Sequence, residues 1–468
     1  MGDPKEDSAA SQPAGITSDG KTPTEQNPWY VLATIAGEQR GEGIYKNLEL
    51  KNRAYWNAWA GQHLSAEDKA EIKDGFGRSL FEGTPKWSEV EAEVTEAFTK
   101  RLPGLDLPDP AEIVDFQNVA FSARVSFDSF YFPAPAGFTD AKFSEHGDFT
   151  DAKFSERADF THATFSKTAN FYHATFSELA DFNNAKFSKT ADFNGATFSE
   201  LADFIRATFS ETADFGDATF SETADFISAG FSGPVTFVWT KFSGRADFTD
   251  ASFDAPCNFR EAEFKGAYPD LEGTLLHAKT NISAEDDFWP KTGKQKTGSR
   301  QDSEQGEEKR YRFLEDEPQT DKQAAQSCAH LRQNMAAQGL PEAAHFFFRR
   351  EMTHRSRISR WWERPFYTLY RGVEYGYGVW QPVVGIIATW ALGAGALWCW
   401  GCMSGWTAAG LSFSNIFRFF GFQRVHFEPE IINSLPFPLE VMTAVQTVVG
   451  FVLLFLLGLG LRNRFRLK

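Results

Sequence analysis

The chain has 468 residues and a formal net charge of −16, with 24% charged and 42% hydrophobic residues. An acidic balance without a basic stripe speaks against nucleic acid as a ligand, and four cysteines in this length fit a reducing compartment. Residues 1–28 are rich in Ser, Thr, Pro and Gly and read as a disordered tail; the acidic start, Asp3 to Asp7, has neither the basic nor the apolar region of a signal peptide. Residues 29–113 read as a small helical cap. Ser65-x-x-Asp68 and Ser88-x-x-Glu91 each mark a helix start. Trp29, Tyr30, Tyr55, Trp56, Trp59 and Trp87 provide aromatic surface for a small core or for covering the adjoining repeat region.

From Phe116 to Phe264 phenylalanine recurs in two interleaved series, each stepping by 11 residues, at alternating gaps of 5 and 6. The two series hold 28 of the 48 Phe in the chain. A fixed period over this length marks a solenoid. On an α-helix, Phe separated by five residues would lie about 140° apart and split across two faces, and the Asp-Phe, Thr-Phe and Phe-Ser pairs are poor helix formers. In an extended segment residues i and i−2 point the same way. The small residue two before nearly every Phe, as in Ala158/Phe160 and Ala163/Phe165, therefore faces inward with it. Alternating 5 and 6 makes a four-sided coil of 22 residues, and the 154 residues from 114 to 267 supply seven coils. The sixth residue is expected as a bulge at every second corner. Cys257 falls in an inward small-residue slot and reads as a buried, inert thiol.

Ala-Asp-Phe-x-x, found from Ala158, Ala180, Ala191, Ala202, Ala213, Ala224 and Ala246, resembles the pentapeptide-repeat family. The resemblance implies a mainly β fold, a right-handed quadrilateral β-helix with the central Phe and the preceding small residue inside. The chain departs from the family in its 22-residue coil, against the usual 20, and in having Phe at every central position. The solenoid carries 23 acidic and 12 basic residues. Asp159, Asp181, Asp203, Asp225 and Asp247 are spaced by 22 and would stack in one column, a candidate partner-binding surface; Asp148, Asp192 and Asp214 partly fill a second. Some family members use an acidic rod to mimic DNA and block a topoisomerase. The competing explanation is that the slot takes Asp or Asn for turn hydrogen bonding. His162 and His173 fall at outward positions and read as solvated.

Beyond the solenoid, 268–319 reads as a charged linker. Residues 320–378 read as a helix pair, 320–338 and 342–358 around Gly339-Leu340-Pro341, packed by Phe346, Phe347 and Phe348 and followed by an interfacial segment. There Arg355, Arg357, Arg360, Arg364 and Arg371 alternate with Trp and Tyr, as at a membrane–water interface. Residues 379–403 and 439–461 are long and apolar enough to span a bilayer, joined by an extracytoplasmic loop, 404–438, and followed by a basic tail, 462–468. Basic flanks outside both spans place both termini and the solenoid in the cytoplasm, at the inner membrane. Glu440 and Gln446 point to contacts between helices. Cys399 and Cys402 form a C-x-x-C without a second ligand pair, a packing role rather than zinc. The segment from Leu411 to Arg424 is similar to the re-entrant pore loop of two-span cation channels; its candidate filter residues are Gly421, Phe422, Gln423 and Arg424, and Gln and Arg there depart from a potassium filter. No catalytic constellation, metal cluster or cofactor motif is present. The sequence thus reads as a non-enzymatic, membrane-anchored scaffold with an unknown protein partner and contact with membrane lipid, the alternatives being a homo-oligomeric ion channel or a DNA-mimicking topoisomerase binder.

Overall fold

Strands of two or three residues, each ended by a tight corner, carry the chain from Val114 to Phe264. Up to Phe242 every strand pairs in parallel with the one 22 residues on: Ala158 with Ala180, Phe165 with Phe187, Ala169 with Ala191 and Phe176 with Phe198. The result is four parallel sheets forming the sides of a solenoid. The computed structural model describes residues 20–39, 45–291, 319–372, 374–401, 403–418 and 435–466. They belong to two compact units, residues 1–347 and 348–468.

The two kinds of corner explain the alternation of 5 and 6. After Phe160, Ala163 N donates to Phe160 O at 3.0 Å and His162 takes φ 58°. A positive φ at the second central residue is that of a type II turn, and it recurs every 11 residues from Asn118 to Glu261, with Gly195 in the series. The other corner, such as Ser166-Lys167-Thr168, is a bend that holds the sixth residue. The additional residue therefore sits at every second corner, as expected, and leaves the strand ladders in register.

Inside, the 28 Phe are almost wholly buried. Within a column they stack in parallel, as Phe171 on Phe193 at 4.8 Å and 1°. Across columns they meet edge to face, as Phe182 and Phe193 at 5.4 Å and 89°. Both are favoured quadrupole arrangements. The uniform Phe thus makes one repeating aromatic lattice, and Cys257 lies buried in its small-residue slot as expected.

The open ends of a solenoid present unpaired backbone, which must be covered. At the N-terminal end Thr22–Pro23, within the stretch expected to be disordered, adds a strand in which Thr22 pairs with Val119. Helices α1 (Pro28–Ala33), α2 (Lys46–Ala60), α3 (Ala66–Glu71) and α4 (Trp87–Arg101) form the cap. Ser65 and Asp68 make the expected capping box. The fourth helix instead opens at Trp87, with Glu89 accepting Lys86 N at 3.3 Å. Asn57 closes the sheet edge by accepting Tyr131 N and donating to Ser129 O, both at 3.0 Å. Trp56 stacks on Phe130 at 5.1 Å and donates to Tyr131 O at 2.8 Å.

At the other end the ladders run past Phe264 into the segment expected to be linker. Asp247 bridges Asp270, Ser252 bridges Leu275 and Asn258 pairs with Asn281, making an eighth turn. Trp289 stacks on Phe264 at 5.1 Å and closes the aromatic column. Helix α5 (Asp321–Ala337) and the start of α6 (Pro341–Ile358) complete this end with Leu331, Met335 and Phe347. Gln319 exchanges two 2.9 Å bonds with the Tyr268 backbone.

In the second unit, α7 (Arg364–Gly372) precedes three apolar helices: α8 (Trp380–Trp400), α9 (Gly405–Ile416) and α10 (Phe437–Arg466). Two of these, Trp380–Trp400 and Phe437–Asn463, are long and apolar enough to cross a membrane.

Candidate functional site

The acidic column forms in the expected register, with Asp159 beside Asp181, Asp181 beside Asp203, Asp203 beside Asp225 and Asp225 beside Asp247. Its carboxylates, however, serve the fold. Each accepts the backbone N–H two residues on, closing the type II corner: Thr161 N to Asp159 at 2.9 Å, Asn183 N to Asp181 at 3.1 Å, Ile205 N to Asp203 at 2.8 Å, Ile227 N to Asp225 at 3.0 Å and Thr249 N to Asp247 at 2.9 Å. Asn170 and Asn258 do the same in the column on the opposite side. Asp181, Asp203, Asp225 and Asp247 are only 2–4% exposed, so this column offers a partner almost no carboxylate surface.

Each Asp is flanked along the chain by the residues two before and two after it. For Asp203 these are Leu201 and Ile205; for Asp225, Thr223 and Ile227. Each end of the column has an arginine. Arg157 sits 3.1 Å from both Asp159 and Asp181, and Arg245 pairs with Asp247 and Asp270. In the middle, burial pushes Asp203 up to about 6 and Asp225 up to about 7, the backbone N–H bonds opposing and the stacked neighbouring carboxylates adding to the rise. In the second column Asp192 is raised by the same burial.

The accessible acid lies one corner away. Glu156, Glu178, Glu200 and Glu222 follow Phe-Ser in four successive coils and are all exposed. Their spacing of 22 is present in the sequence but is overshadowed there by the Asp-Phe pairs. His173 also differs from expectation. It is covered by the 73–79 hairpin, with the Phe76 ring 5.2 Å away, and lies 3.9 Å from Asp151, which accepts Gly75 N at 2.8 Å.

A family model for pentapeptide repeats (9 copies) matches residues 127–175, 171–219, 182–230 and 215–263. The solenoid is a pentapeptide-repeat domain. No curated protein and no solved structure matches the chain. The pentapeptide-repeat domain is spent on its own core, since every coil points its Phe and small residues inward and only the intervening residues reach the surface. Among the described residues no group of three or more His, Cys, Asp or Glu is arranged to hold a metal ion.

The second unit contains another polar site. Helix α9, within the expected extracytoplasmic loop and reaching into the part that resembles a re-entrant pore loop, turns back along α8 and packs against both α8 and α10. Trp390, midway along α8, donates to Ala409 O at 2.9 Å and accepts Ser412 Oγ at 2.7 Å. Gln446 of α10 donates to Thr389 O at 3.1 Å and Ser412 Oγ at 2.5 Å, and accepts from Asn415 at 3.2 Å. Ser412, Ser414, Asn415 and Gln446 are buried. The absence of a side chain at Gly450 admits Ile416, whose Cα would lie 2.9 Å from an added Cβ. Twelve residues of helix rise about 18 Å, roughly half of a bilayer core. Of the loop residues singled out as a filter, Gly421, Phe422, Gln423 and Arg424 all lie outside the described residues. Cys399 is exposed on α8, and Cys402 lies outside the described residues.

Proposed function

We propose that this is a membrane-anchored, non-enzymatic interaction module that presents the outer columns of its pentapeptide-repeat domain to a protein partner in the cytoplasm. The observation that carries the reading is the division of labour along the repeat. Phe, the small residue and the Asp column are consumed by core and corners, which leaves a regular outer surface bordered by the ridge of Glu156, Glu178, Glu200 and Glu222. An acidic ridge selects a basic partner surface and steers its approach. The cytoplasmic side follows from the basic residues. Asn463 at the end of α10 donates to Gly376 O at 3.0 Å, just before α8 begins, so the arginines flanking both spans lie on one side of the membrane. Affinity capture from cross-linked membranes tests the reading. Replacing the four glutamates by Gln should release the partner and leave the solenoid folded; capture unchanged by that replacement would refute the acidic-ridge interaction.

A second reading, an oligomeric pore, is favoured by α9. A helix that enters between two spans and stops near their midpoint is tolerated only where protein or a water-filled cavity receives its end. Planar-bilayer recording decides between the two: unit conductance that disappears with Gln446→Leu supports a pore, and its absence from purified protein removes that reading.

A further inference from the structure

Between Ile358 and Gly372 the chain places an aromatic surface and a cationic surface side by side, next to the start of a span. Five arginines stand against one glutamate between 355 and 372, in a chain whose net charge is −16. Glu363 is spent locally, accepting Arg360 N at 3.2 Å, and Glu351 holds Arg355 at 2.8 Å. Among the described residues Arg360, Arg364 and Arg371 form no ion pair, although all three are exposed. On α7 the helical repeat sets Arg364, Thr368 and Arg371 on one side and Phe366 and Tyr370 on the other. Tyr370 fastens the helix to its own unit through Phe348, at 6.5 Å, and Tyr375, at 5.4 Å. Phe366 is left 72% exposed and Trp361 76%, and Trp362 lies under the Arg360 guanidinium at 5.2 Å. Eight residues after α7, Trp380 opens α8 and is itself 71% exposed.

We propose that residues 358–372 dock on an anionic phospholipid leaflet, with Trp361 and Phe366 entering the boundary between headgroups and acyl chains and Arg360, Arg364 and Arg371 holding phosphate groups. Large exposed aromatics suit this depth because the ring enters the apolar layer while the flanking groups stay wet. Guanidinium groups fit phosphate oxygens in paired hydrogen bonds, and a basic amphipathic helix binds through both effects together. Two features favour lipid over a second copy of the chain. The charge is complementary to an anionic leaflet, whereas a copy would bring like charge against like. The segment is also continuous with α8, which holds it at the surface of the bilayer that α8 crosses. The proposal rests on reading α8 and α10 as membrane spans.

Hydrogen exchange on the full-length chain tests it in three settings: detergent micelles, nanodiscs of phosphatidylcholine alone, and nanodiscs containing phosphatidylglycerol. Exchange in residues 358–372 should slow about tenfold on adding phosphatidylglycerol. The combined variant Arg360→Gln, Arg364→Gln and Arg371→Gln should lose that slowing, while Phe366→Ser should weaken protection in both kinds of nanodisc. Equal exchange with and without phosphatidylglycerol would overturn the proposal, as would protection already complete in detergent, which would mean that protein covers the segment. Amides of α8 and α10 report separately on the spans: if they are protected in neither nanodisc, the membrane reading itself has failed.

Discussion

Replacing Asp225 by Asn should make the middle of the solenoid more stable at pH 8 and change it little at pH 4. Burial raises the folded-state Asp225 carboxyl from 3.8 to about 7, so between those values the folded state binds more protons than the unfolded state. Stability is therefore greatest below about pH 4 and falls as pH rises through the window to 7. A difference of about three pH units, at ~1.36 kcal/mol each, corresponds to about 4 kcal/mol at pH 8. Asparagine keeps the acceptor that Ile227 N requires, as Asn170 and Asn258 do in equivalent corners, and it removes a charge stacked between Asp203 and Asp247. The assay is amide exchange of Phe204, whose N–H donates to Asp225 O at 2.7 Å, comparing variant and parent at the same pH. Protection should increase on the order of a thousandfold at pH 8, the equivalent of about 4 kcal/mol, and by less than about tenfold at pH 4. Equal protection at pH 8, or a loss there, would refute the placement of a desolvated carboxylate in the column.

Phe193→Ala removes a ring stacked between Phe171 and Phe215 and edged by Phe182 and Phe204; it should destabilise the central coils by about 3–5 kcal/mol in denaturant titration. Asn57→Ala strands Tyr131 N and Ser129 O at the capped edge, and first-coil amides should lose about 1–3 kcal/mol of exchange protection while central coils keep theirs. Gln446→Leu breaks the bonds that tie α9 to both spans; exchange in Ser412–Ile416 should rise by roughly tenfold, about 1–2 kcal/mol, with α8 and α10 still inserted.

The Phe beat was legible because it carries two periods at once. The 11-residue step gives the coil, and the Ala two residues before each Phe gives the strand face. The eighth turn was hidden for the same reason: Leu271, Ile282 and Trp289 replace Phe there, and its bridges are spaced by 23 residues, not 22. The Asp column was legible in register but not in exposure, although apolar Leu201 and Ile205 flank Asp203 along the chain. Charge counted alone gave a binding surface; charge counted with those neighbours gives a buried corner cap. In the second unit, the uncharged run from Tyr375 to Phe417 contains both α8 and α9. Apolarity alone therefore set the first span; the resemblance to a re-entrant loop pointed to a turn back only from Leu411, whereas the returning helix begins at Gly405. Gln446 stands out as an interhelical contact from its polarity in an apolar stretch, and it bonds both neighbouring helices.

Site-specific photo-cross-linking in intact membranes tests the interaction role most directly. A photoreactive residue would replace outward-facing Thr197, its ladder neighbour Thr219 or Glu200 in turn, with the buried position Ala196 as control. The expected result is one discrete protein adduct from neighbouring outward positions and none from Ala196. Absence of any adduct other than the chain with itself, at every outward position, would contradict the role of the solenoid as an interaction module.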